Sequence, residues 1–362
     1  MAAAAPIRVL VVDDSIVTRS LLRTALSSWA QTELVGVARD GAEGLEAIDR
    51  LRPDLVLLDV EMPGMNGLQV LAQIRARHLR SRVIICSSLT RRGAGITLEA
   101  LASGATDYVA KPVVSSVSEA IGALTRDLLP RILALFPPEG WQCPVEFPHP
   151  RIALPPRPGS LVPGVVVIGV STGGPAALEK LLPALPAGFP LPILIAQHMP
   201  TLFTALLAER LNSLSNIPVC EAEASARIAG GVAWLARGDW HLEVAGSRER
   251  KSLRLHQDHS PEYCRPSVDL LFRSAVSAYR DGVLAVVLTG MGSDGLDGCR
   301  AVRAAGGRVL VQDAETSAVW GMPGAVARAG LADQVLPLDA IAGEITRLVM
   351  GPGKPEFIRQ QA

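Results

Sequence analysis

The chain has 362 residues, which is too long for one ordinary hydrophobic core and sufficient for two domains. Hydrophobic residues make up 49% of it and charged residues 19%, a composition that excludes intrinsic disorder. The net charge of +0 excludes a chain-wide attraction to nucleic acid or to an anionic membrane.

Residues 7 to about 130 alternate short apolar runs with amphipathic stretches. Helical periodicity lies near 15–29, 41–51, 66–77, 95–103 and 115–134. The apolar runs predict five strands: Ile7–Val12, Glu33–Ala38, Leu55–Val60, Val83–Ser87 and Asp107–Ala110. This alternation predicts a doubly wound, five-stranded parallel sheet, whose functional residues lie at the carboxyl ends of strands.

Acidic residues follow two of these predicted strands. Asp13, Asp14 and Asp59 all lie at carboxyl ends, where three carboxylates repel one another unless a hard cation binds among them. The sequence therefore predicts a Mg²⁺ site. Lys111 and Ser87 end two further strands, where their side chains can contact a phosphoryl group carried by one carboxylate.

A proline-rich stretch separates this region from the rest of the chain. Residues 136–163 carry nine prolines, a density that forbids helix and central strand and predicts a semi-stiff linker. The predicted organisation is a first domain at 1–130, a linker at 131–163, a second domain at 164–352 and a tail at 353–362.

The second half returns to buried strands and helices. Its apolar runs predict strands at Val165–Gly169, Leu191–Gln197, Val283–Thr289 and Arg308–Gln312. A hairpin is predicted from Gly231–Ala236 and Trp240–Val244 around Arg237-Gly238-Asp239, with Ser252–His256 added to it. The second domain is therefore expected to be mixed α/β with an antiparallel hairpin.

A serine lies at a glycine-rich turn after the first of these strands. The run Gly169-Val170-Ser171-Thr172-Gly173 fits a strand, a tight turn and a helix that begins near Pro175. A serine in that turn is well placed as a nucleophile, and the helix amino terminus suits a developing oxyanion. Such turns also cap helices or bind phosphate without any catalysis. A nearby general base would distinguish a catalytic serine from these alternatives.

Two downstream residues complete a candidate triad. His198 follows a buried strand and lies on the same sheet edge as Ser171, and Asp294 lies in a turn after another buried strand. The other histidines lie in the first domain, the linker, a hairpin strand or irregular polar stretches: His78, His149, His241, His256 and His259.

A dinucleotide site is the main alternative for the turn that carries Asp294. Gly290-Met-Gly-Ser-Asp-Gly295 is a G-x-G-x-x-G after a strand, and Asp313 lies at the end of the next strand. Against this alternative, Asp294 would repel the pyrophosphate and the Ser171 and His198 motifs would have no role.

The first domain resembles the receiver domain of two-component response regulators. The matching segments are Val11-Val12-Asp13-Asp14-Ser15, residues 57–67, Ser87 and Tyr108-Val109-Ala110-Lys111-Pro112. The resemblance implies that Asp59 accepts phosphate from a histidine kinase, with Mg²⁺ held by Asp13, Asp14 and Asp59. It also implies that Ser87, Tyr108 and Lys111 relay the switch.

Residues 165–350 resemble the catalytic domain of the chemotaxis protein-glutamate methylesterases of the CheB family. The matching segments are residues 168–175, 197–200, 203–204, 207–211, 265–269 and 288–295. The resemblance implies hydrolysis of glutamyl methyl esters on chemoreceptors, with deamidation of receptor glutamines in some members. Ser171, His198 and Asp294 fall on the family's triad, and the backbone amides of Thr172 and Met291 are expected to hold the oxyanion.

The resemblance also sets expectations for partners and location. The chemoreceptors are the expected substrate and a chemotaxis histidine kinase the expected phosphodonor. The catalytic domain is expected to need no cofactor. Scattered cysteines at 86, 143, 220, 264 and 299 indicate a reduced, cytoplasmic protein, and no apolar run is long enough to insert into a membrane. We further expect a monomer that binds no nucleic acid.

One non-enzymatic alternative remains open at this stage. A response regulator whose second domain binds DNA or a protein partner would share the first domain. The second domain lacks a basic recognition helix, which disfavours DNA binding. For the enzyme, we expect the unphosphorylated receiver to cover the edge that carries Ser171 and His198, and phosphorylation to expose it.

Overall fold

The structure is a computed structural model that describes residues 5–88, 90–112, 116–137, 163–247, 250–258 and 264–351. Residues 138–162, which hold most of the predicted linker, and the predicted tail from 353 lie outside the described residues. None of the described helices combines the length and the apolar composition that crossing a bilayer requires.

The first domain is the predicted five-stranded parallel sheet with helices on both faces, in strand order β2-β1-β3-β4-β5. Its last helix continues past residue 130 and contains Pro130. The elements are β1 Ile7–Val12, α1 Ile16–Ser27, β2 Thr32–Ala38, α2 Gly41–Leu51, β3 Leu55–Asp59, α3 Gly67–Ala76, β4 Arg82–Ser87, α4 Arg91–Ala102, β5 Asp107–Ala110 and α5 Val117–Leu135.

The second domain contains a seven-stranded parallel sheet, in strand order β14-β13-β12-β6-β7-β9-β8, and a separate two-stranded hairpin. Its elements are β6 Val165–Val170, α6 Gly174–Leu181, β7 Ile193–Gln197, α7 Thr201–Leu214, β8 Val219–Glu221, β9 Ala233–Leu235, β10 His241–Gly246, β11 Lys251–His256, α8 Val268–Tyr279, a short 3₁₀ turn, β12 Val283–Val287, α9 Leu296–Ala304, β13 Arg308–Gln312, α10 Met322–Arg328, β14 Gln334–Leu336 and α11 Leu338–Met350.

The predicted partners of the hairpin are wrong, although a hairpin exists. β9 pairs in parallel with β7 and β8, whereas β10 pairs antiparallel with β11. The turn between β9 and β10 packs against the start of α7, where the Thr201 hydroxyl donates to the Gly238 carbonyl at 2.7 Å. A Cβ on Gly238 would lie only 2.3 Å from the Pro200 carbonyl carbon. This contact draws the chain out of the sheet after Leu235, so the two predicted strands never pair.

The central strands explain why the sequence folds in this way. Every residue of β3, β6, β7 and β12 is buried, as expected for parallel strands that helices cover on both faces. Polar caps set the starts of the intervening helices; α3 begins with a capping box between Asn66 and Gln69. α4 begins at Arg91, earlier than predicted, because Thr90 caps it.

The two domains pack directly against each other. Tyr108 of β5 stacks on Phe203 of α7, with ring centroids 4.6 Å apart and both side chains buried. At the periphery of this interface, the Arg82 guanidinium donates to the Ala318 carbonyl at 3.1 Å, and Arg91 lies 3.6 Å from Glu209. We call this interface the seam.

Candidate active site

Three neighbouring strands bring the predicted triad to one edge of the second sheet. β6 lies between β7 and β12, with Val170 beside Gln197 and Gly169 beside Val287 in register. The next residues along these strands lead to Ser171, to His198 and to the turn that carries Asp294. Parallel pairing therefore gathers residues that lie far apart in sequence.

The backbone of the turn after β6 fixes the position of Ser171. The Ser171 amide donates to the Thr289 carbonyl at 3.0 Å, and its own carbonyl accepts from Gly174 at 2.8 Å. Gly173 has a φ of 78°, a left-handed conformation that costs glycine little, and Pro175 opens α6. The chain thus reverses sharply at the serine, as the predicted nucleophile elbow requires.

His198 and Asp294 form a close ion pair beside this turn. The His198 Nε2 lies 2.8 Å from Asp294 Oδ2, and the two side chains are only 14% and 8% exposed. Since Asp294 holds Nε2, Nδ1 is the ring nitrogen left to receive a proton. In the described parts of the chain, Ser171 Oγ makes no hydrogen bond to the ring; such bonds often tighten only when substrate binds.

The carboxylate of Asp294 also caps the amino terminus of α8. Its Oδ1 accepts from the Asp269 amide at 2.9 Å and from the Ser267 hydroxyl at 3.2 Å, and its Oδ2 accepts from the Val268 amide at 2.8 Å. These donors and the positive end of the helix dipole hold the side chain in one orientation. Asp294 is therefore a rigid support for the imidazole.

The pKa values of His198 and Asp294 both differ from their ordinary values. Burial disfavours the imidazolium, but contacts with Asp294 and the Cys264 thiol outweigh it and raise the pKa of His198 to about 10. Burial also opposes ionisation of Asp294, yet the bonds from His198 and the α8 amides keep the pKa of this carboxyl below its usual value. The site thus favours a charged imidazolium–carboxylate pair.

The two amides predicted to hold an oxyanion belong to Thr172 and Met291, both near Ser171 along the chain or in space. Thr172 is the next residue in the chain, and Met291 follows Gly290, on which a Cβ would lie 2.8 Å from the Ser171 Cβ. Neither amide donates to another group within the ranges that the structure describes. Both are therefore available to a ligand at the serine.

Two residues of this region were given no role from the sequence, although Gln197 lies in a matching segment. The Gln197 side-chain amide donates to the carbonyls of Ser171 and His198, at 3.0 and 3.2 Å, and so ties their backbones together. Cys264 lies beside His198 and Asp294, with the candidate ligand atoms of all three within 4.8 Å of one another. A glutamine at the end of a strand and a lone cysteine have no characteristic spacing, so only the fold reveals them.

The first domain forms the predicted acidic pocket. The Lys111 ammonium lies 2.7 Å from Asp59 Oδ2 and 2.9 Å from Asp13 Oδ2, and both carboxylates are buried whereas Asp14 is exposed. Burial raises the pKa of Asp59, against the lowering by Lys111. Burial opposes the charge on Lys111, but the two carboxylates outweigh this effect and raise its pKa.

The donor set of this pocket fits a hard cation. One carboxylate oxygen each from Asp13, Asp14 and Asp59 lie within 4.8 Å of one another. The buried Asp13 Oδ2 has the Lys111 ammonium 2.9 Å away as its partner, and a cation bound here would share this oxygen with Lys111. An all-oxygen set with one exposed member suits Mg²⁺, which keeps several waters.

Two of the predicted switch residues, Ser87 and Tyr108, make their contacts away from Asp59. The Ser87 hydroxyl donates to the carbonyls of Ser88 and Gly93, each at 3.3 Å. Tyr108 lies in the seam against Phe203, with the Arg131 guanidinium 5.9 Å from its ring centre. Lys111 alone of the three contacts the acidic pocket.

Asp107 connects the first domain to the serine turn, and sequence reasoning missed it. Its buried Oδ2 accepts from the Thr172 hydroxyl at 2.9 Å and from Arg131 at 2.8 Å. Thr172 directly follows Ser171. A buried charge in the first domain is thus hydrogen-bonded to the residue beside the candidate nucleophile.

The structure disfavours the dinucleotide alternative. Asp294 is bound to His198 and to α8, and it would place its charge where a pyrophosphate would lie. Asp313 accepts from the amide and hydroxyl of Thr316 in a local turn. His241 is buried and accepts from the Ser267 amide through Nδ1, which is a structural role.

Comparison with protein families finds matches in two separate parts of the chain. The family model for the response regulator receiver domain matches residues 9–120, and the model for CheB methylesterase matches residues 166–345. The crystal structure of the Thermotoga maritima CheB methylesterase catalytic domain is 41% identical, with a TM-score of 0.51 over 52% of this chain and 100% of that chain.

Similarity extends over nearly the full chain in whole relatives. A protein-glutamate methylesterase/protein-glutamine glutaminase of Trichodesmium erythraeum is 45% identical, over 94% of this chain and 99% of that protein. A protein of the same name from a Nocardioides species is 46% identical, over 94% of this chain and 95% of that protein.

We predict that Asp294→Asn lowers the pKa of His198 from about 10 toward 6.5, because the amide cannot stabilise the imidazolium. Since the folded-state pKa is raised, the stability from this ionisation is fully present below pH 6.5 and is lost as the pH rises through about 10. Histidine ring chemical shifts, followed by NMR against pH, measure the change.

Asp297→Asn, at an exposed site on α9, is the matched control and should leave the His198 titration in place. An unchanged His198 pKa in Asp294→Asn would contradict the ion pair.

Proposed function

This chain belongs to the protein-glutamate methylesterase/protein-glutamine glutaminase (CheB) family of hydrolases, and we propose that Ser171, His198 and Asp294 are its catalytic triad. The observation that carries the proposal is the buried His198–Asp294 pair, 2.8 Å apart, beside the sharp turn of Ser171. The proposed substrate is the methyl ester of glutamate residues in chemoreceptors.

In the first step, Ser171 Oγ attacks the ester carbonyl and His198 takes the hydroxyl proton. Asp294 keeps the ring in the required orientation and balances the imidazolium charge. The raised pKa of His198 makes this proton uptake favourable. The same shift keeps almost all of His198 protonated at neutral pH, so the hydrolysis rate should increase as the pH rises from neutrality toward about 10.

The imidazolium then returns its proton to the leaving methoxide, which departs as methanol and leaves a glutamyl ester on Ser171. Water, deprotonated by His198, hydrolyses this ester to glutamate. A receptor glutamine would follow the same path, with ammonia as the leaving group. The backbone amides of Thr172 and Met291 would stabilise the negative oxygen of both tetrahedral intermediates.

We propose that the receiver controls this chemistry through phosphorylation of Asp59 by a chemotaxis histidine kinase. Asp13, Asp14 and Asp59 would hold Mg²⁺, which reduces the negative charge of the pocket when bound. Asp59 is the buried carboxylate nearest Lys111. Once Asp59 is phosphorylated, the Lys111 ammonium can contact a phosphoryl oxygen instead of the carboxylate. Asp13 and Asp14 are then metal ligands and not acceptors.

Contacts of the seam support a physical link from Asp59 to the active site. Tyr108, a predicted switch residue, is held against Phe203, and its neighbour Asp107 binds Thr172. A phosphoryl group that draws Ser87 and Lys111 inward would change the β4–β5 edge on which both contacts depend. In this proposal the docked receiver restricts access to Ser171, and phosphorylation shifts the equilibrium away from docking.

The predicted domain division fits the same scheme. A receiver at 1–130 and a catalytic domain at 164–352 would be joined by the proline-rich linker, which we propose permits docking and release. The proposed partners are methylated chemoreceptors as substrate and the kinase as phosphodonor.

We predict that Ser171→Ala abolishes methanol release from methylated receptor membranes, with a loss of several orders of magnitude, because the other hydroxyl of the turn, that of Thr172, is buried and donates to Asp107. The variant should unfold at the same temperature as the wild type, since the serine hydroxyl makes no hydrogen bond among the described residues. Ser213→Ala, on the exposed surface of α7, is the control. Near-wild-type release by Ser171→Ala would overturn the assignment.

We predict that Asp59→Asn prevents phosphorylation by a small phosphodonor and that wild-type phosphorylation requires Mg²⁺. Asp14→Asn should retain the acceptor but need more Mg²⁺, because it loses a ligand and not the phosphorylated carboxylate. Mass spectrometry after treatment with acetyl phosphate locates the modified residue. Equal modification of wild type and Asp59→Asn would contradict the prediction.

We predict that Arg91→Glu and Glu209→Arg each raise the activity of the unphosphorylated enzyme roughly two- to fivefold, because like charges across the seam weaken docking. Exposed ion pairs contribute only about 0.2–1 kcal/mol, which limits the effect to this range. The double charge swap should restore the low activity, and Arg39→Glu, far from the seam, should change nothing. If the swap were as active as the single variants, the pair would not contribute to docking.

A further inference from the structure

A cysteine that the proposed triad does not use completes a set of metal-binding side chains. His198, Cys264 and Asp294 each offer one ligand atom, and these atoms lie within 4.8 Å of one another. We call these three residues the His–Cys–Asp cluster. All three are partly buried, so a small ion can reach them while bulk water is limited.

The cluster has the donor types that zinc prefers. An imidazole nitrogen, a thiolate and a carboxylate oxygen are the protein ligands of zinc sites, which take three such ligands when the fourth position stays open. Ligands about 2.0–2.3 Å from one ion lie up to ~4 Å apart, so small side-chain rotations would close the cluster around it.

Neighbouring hydrogen bonds already orient one ligand. Asp294 receives hydrogen bonds from the amides of Val268 and Asp269 and from the Ser267 hydroxyl. Outer contacts of this kind are typical of metal sites, where they fix ligand orientation and increase affinity. The cluster is therefore partly organised before an ion binds.

The acidic pocket of the receiver offers a contrast within the same chain. Its candidate ligands are three carboxylates and no nitrogen or sulfur. Hard, oxygen-binding cations such as Mg²⁺ suit that pocket, whereas thiolate and imidazole select softer ions such as Zn²⁺. The two clusters should thus separate the two cations by ligand chemistry.

We propose that the His–Cys–Asp cluster binds Zn²⁺ and that bound zinc inhibits the hydrolase. The ion displaces the Nε2 proton of the His198 imidazolium and the thiol proton of Cys264, without any redox change. The inhibition rests on the proposed function: with zinc on Nε2, the remaining ring proton occupies Nδ1, so the imidazole cannot accept the proton of Ser171. Cys264 is then the residue that makes the active site sensitive to metal.

The test uses the full-length chain with excess Mg²⁺, which occupies the receiver pocket. Co²⁺ replaces Zn²⁺ as a spectroscopic probe, because a cobalt–thiolate bond absorbs in the near ultraviolet. Wild type should bind one Co²⁺ with this band, and added Zn²⁺ should remove it. Cys264→Ser should lack the band, whereas Cys220→Ser, at an exposed cysteine of β8, should keep it.

Methanol release then measures inhibition, with each variant compared with its own rate in the presence of a chelator. Zinc should inhibit wild type and Cys220→Ser, whereas Cys264→Ser should need at least ~10-fold more zinc. A cobalt–thiolate band that persists in Cys264→Ser, or equal zinc sensitivity of Cys264→Ser and wild type, would overturn the site.

Ser171→Ala separates this proposal from the proposed function. Ser171 is not a ligand, so the variant should show the wild-type cobalt band even though it releases no methanol. If Ser171→Ala were active, the proposed triad would be wrong. The cobalt–thiolate band would still test the metal site independently. If Ser171→Ala were inactive and wild type bound the ion through Cys264 without losing activity, the inhibitory role would be overturned.

Discussion

A single carboxylate, that of Asp294, holds together the sheet edge that carries the proposed triad. It accepts three hydrogen bonds from the start of α8 and a fourth contact from His198 at 2.8 Å. A buried charge is tolerated only when such partners compensate for its lost hydration. Because these partners come from separate segments, β12, α8 and the end of β7 must assemble before the charge is compensated. The geometry of the proposed triad is thus a consequence of folding the whole sheet.

A second buried carboxylate, that of Asp107, performs the corresponding role at the seam. It accepts from Arg131 within the receiver and from Thr172 in the other domain. If the domains separate, water must replace the Thr172 hydroxyl, a modest change, while the Arg131 pair remains in place. The stack of Tyr108 on Phe203 adds apolar contact that separation would expose. In the proposed scheme, this interface docks the receiver, and a phosphoryl group on Asp59 would shift the docking equilibrium.

The sequence predicted those parts of the fold that depend on local residue patterns and not on contacts between distant segments. Continuous apolar runs identify the buried parallel strands, and strand ends then locate Asp59, Ser171 and His198 at functional edges. The short edge strands β8 and β14 were missed because three residues show no periodicity. β9 was assigned to a hairpin because the local turn signal ignores the packing of Gly238 on α7. Tertiary contacts alone reveal the roles of Asp107, Gln197 and Cys264.

The glycines of the turn at 290–295 show how close packing can produce a sequence pattern that is typical of a ligand site. Gly290 begins a pattern that is typical of dinucleotide sites, yet a Cβ there would lie 2.8 Å from the Ser171 Cβ and 2.4 Å from the Met322 sulfur. Gly295 has a φ of 95° and precedes α9, where a Cβ would meet Val268 of α8 at 2.8 Å. Each glycine therefore allows the turn to approach the serine or the helix that Asp294 caps. The same close approach that brings Met291 beside Ser171 explains the pattern, and no phosphate is required.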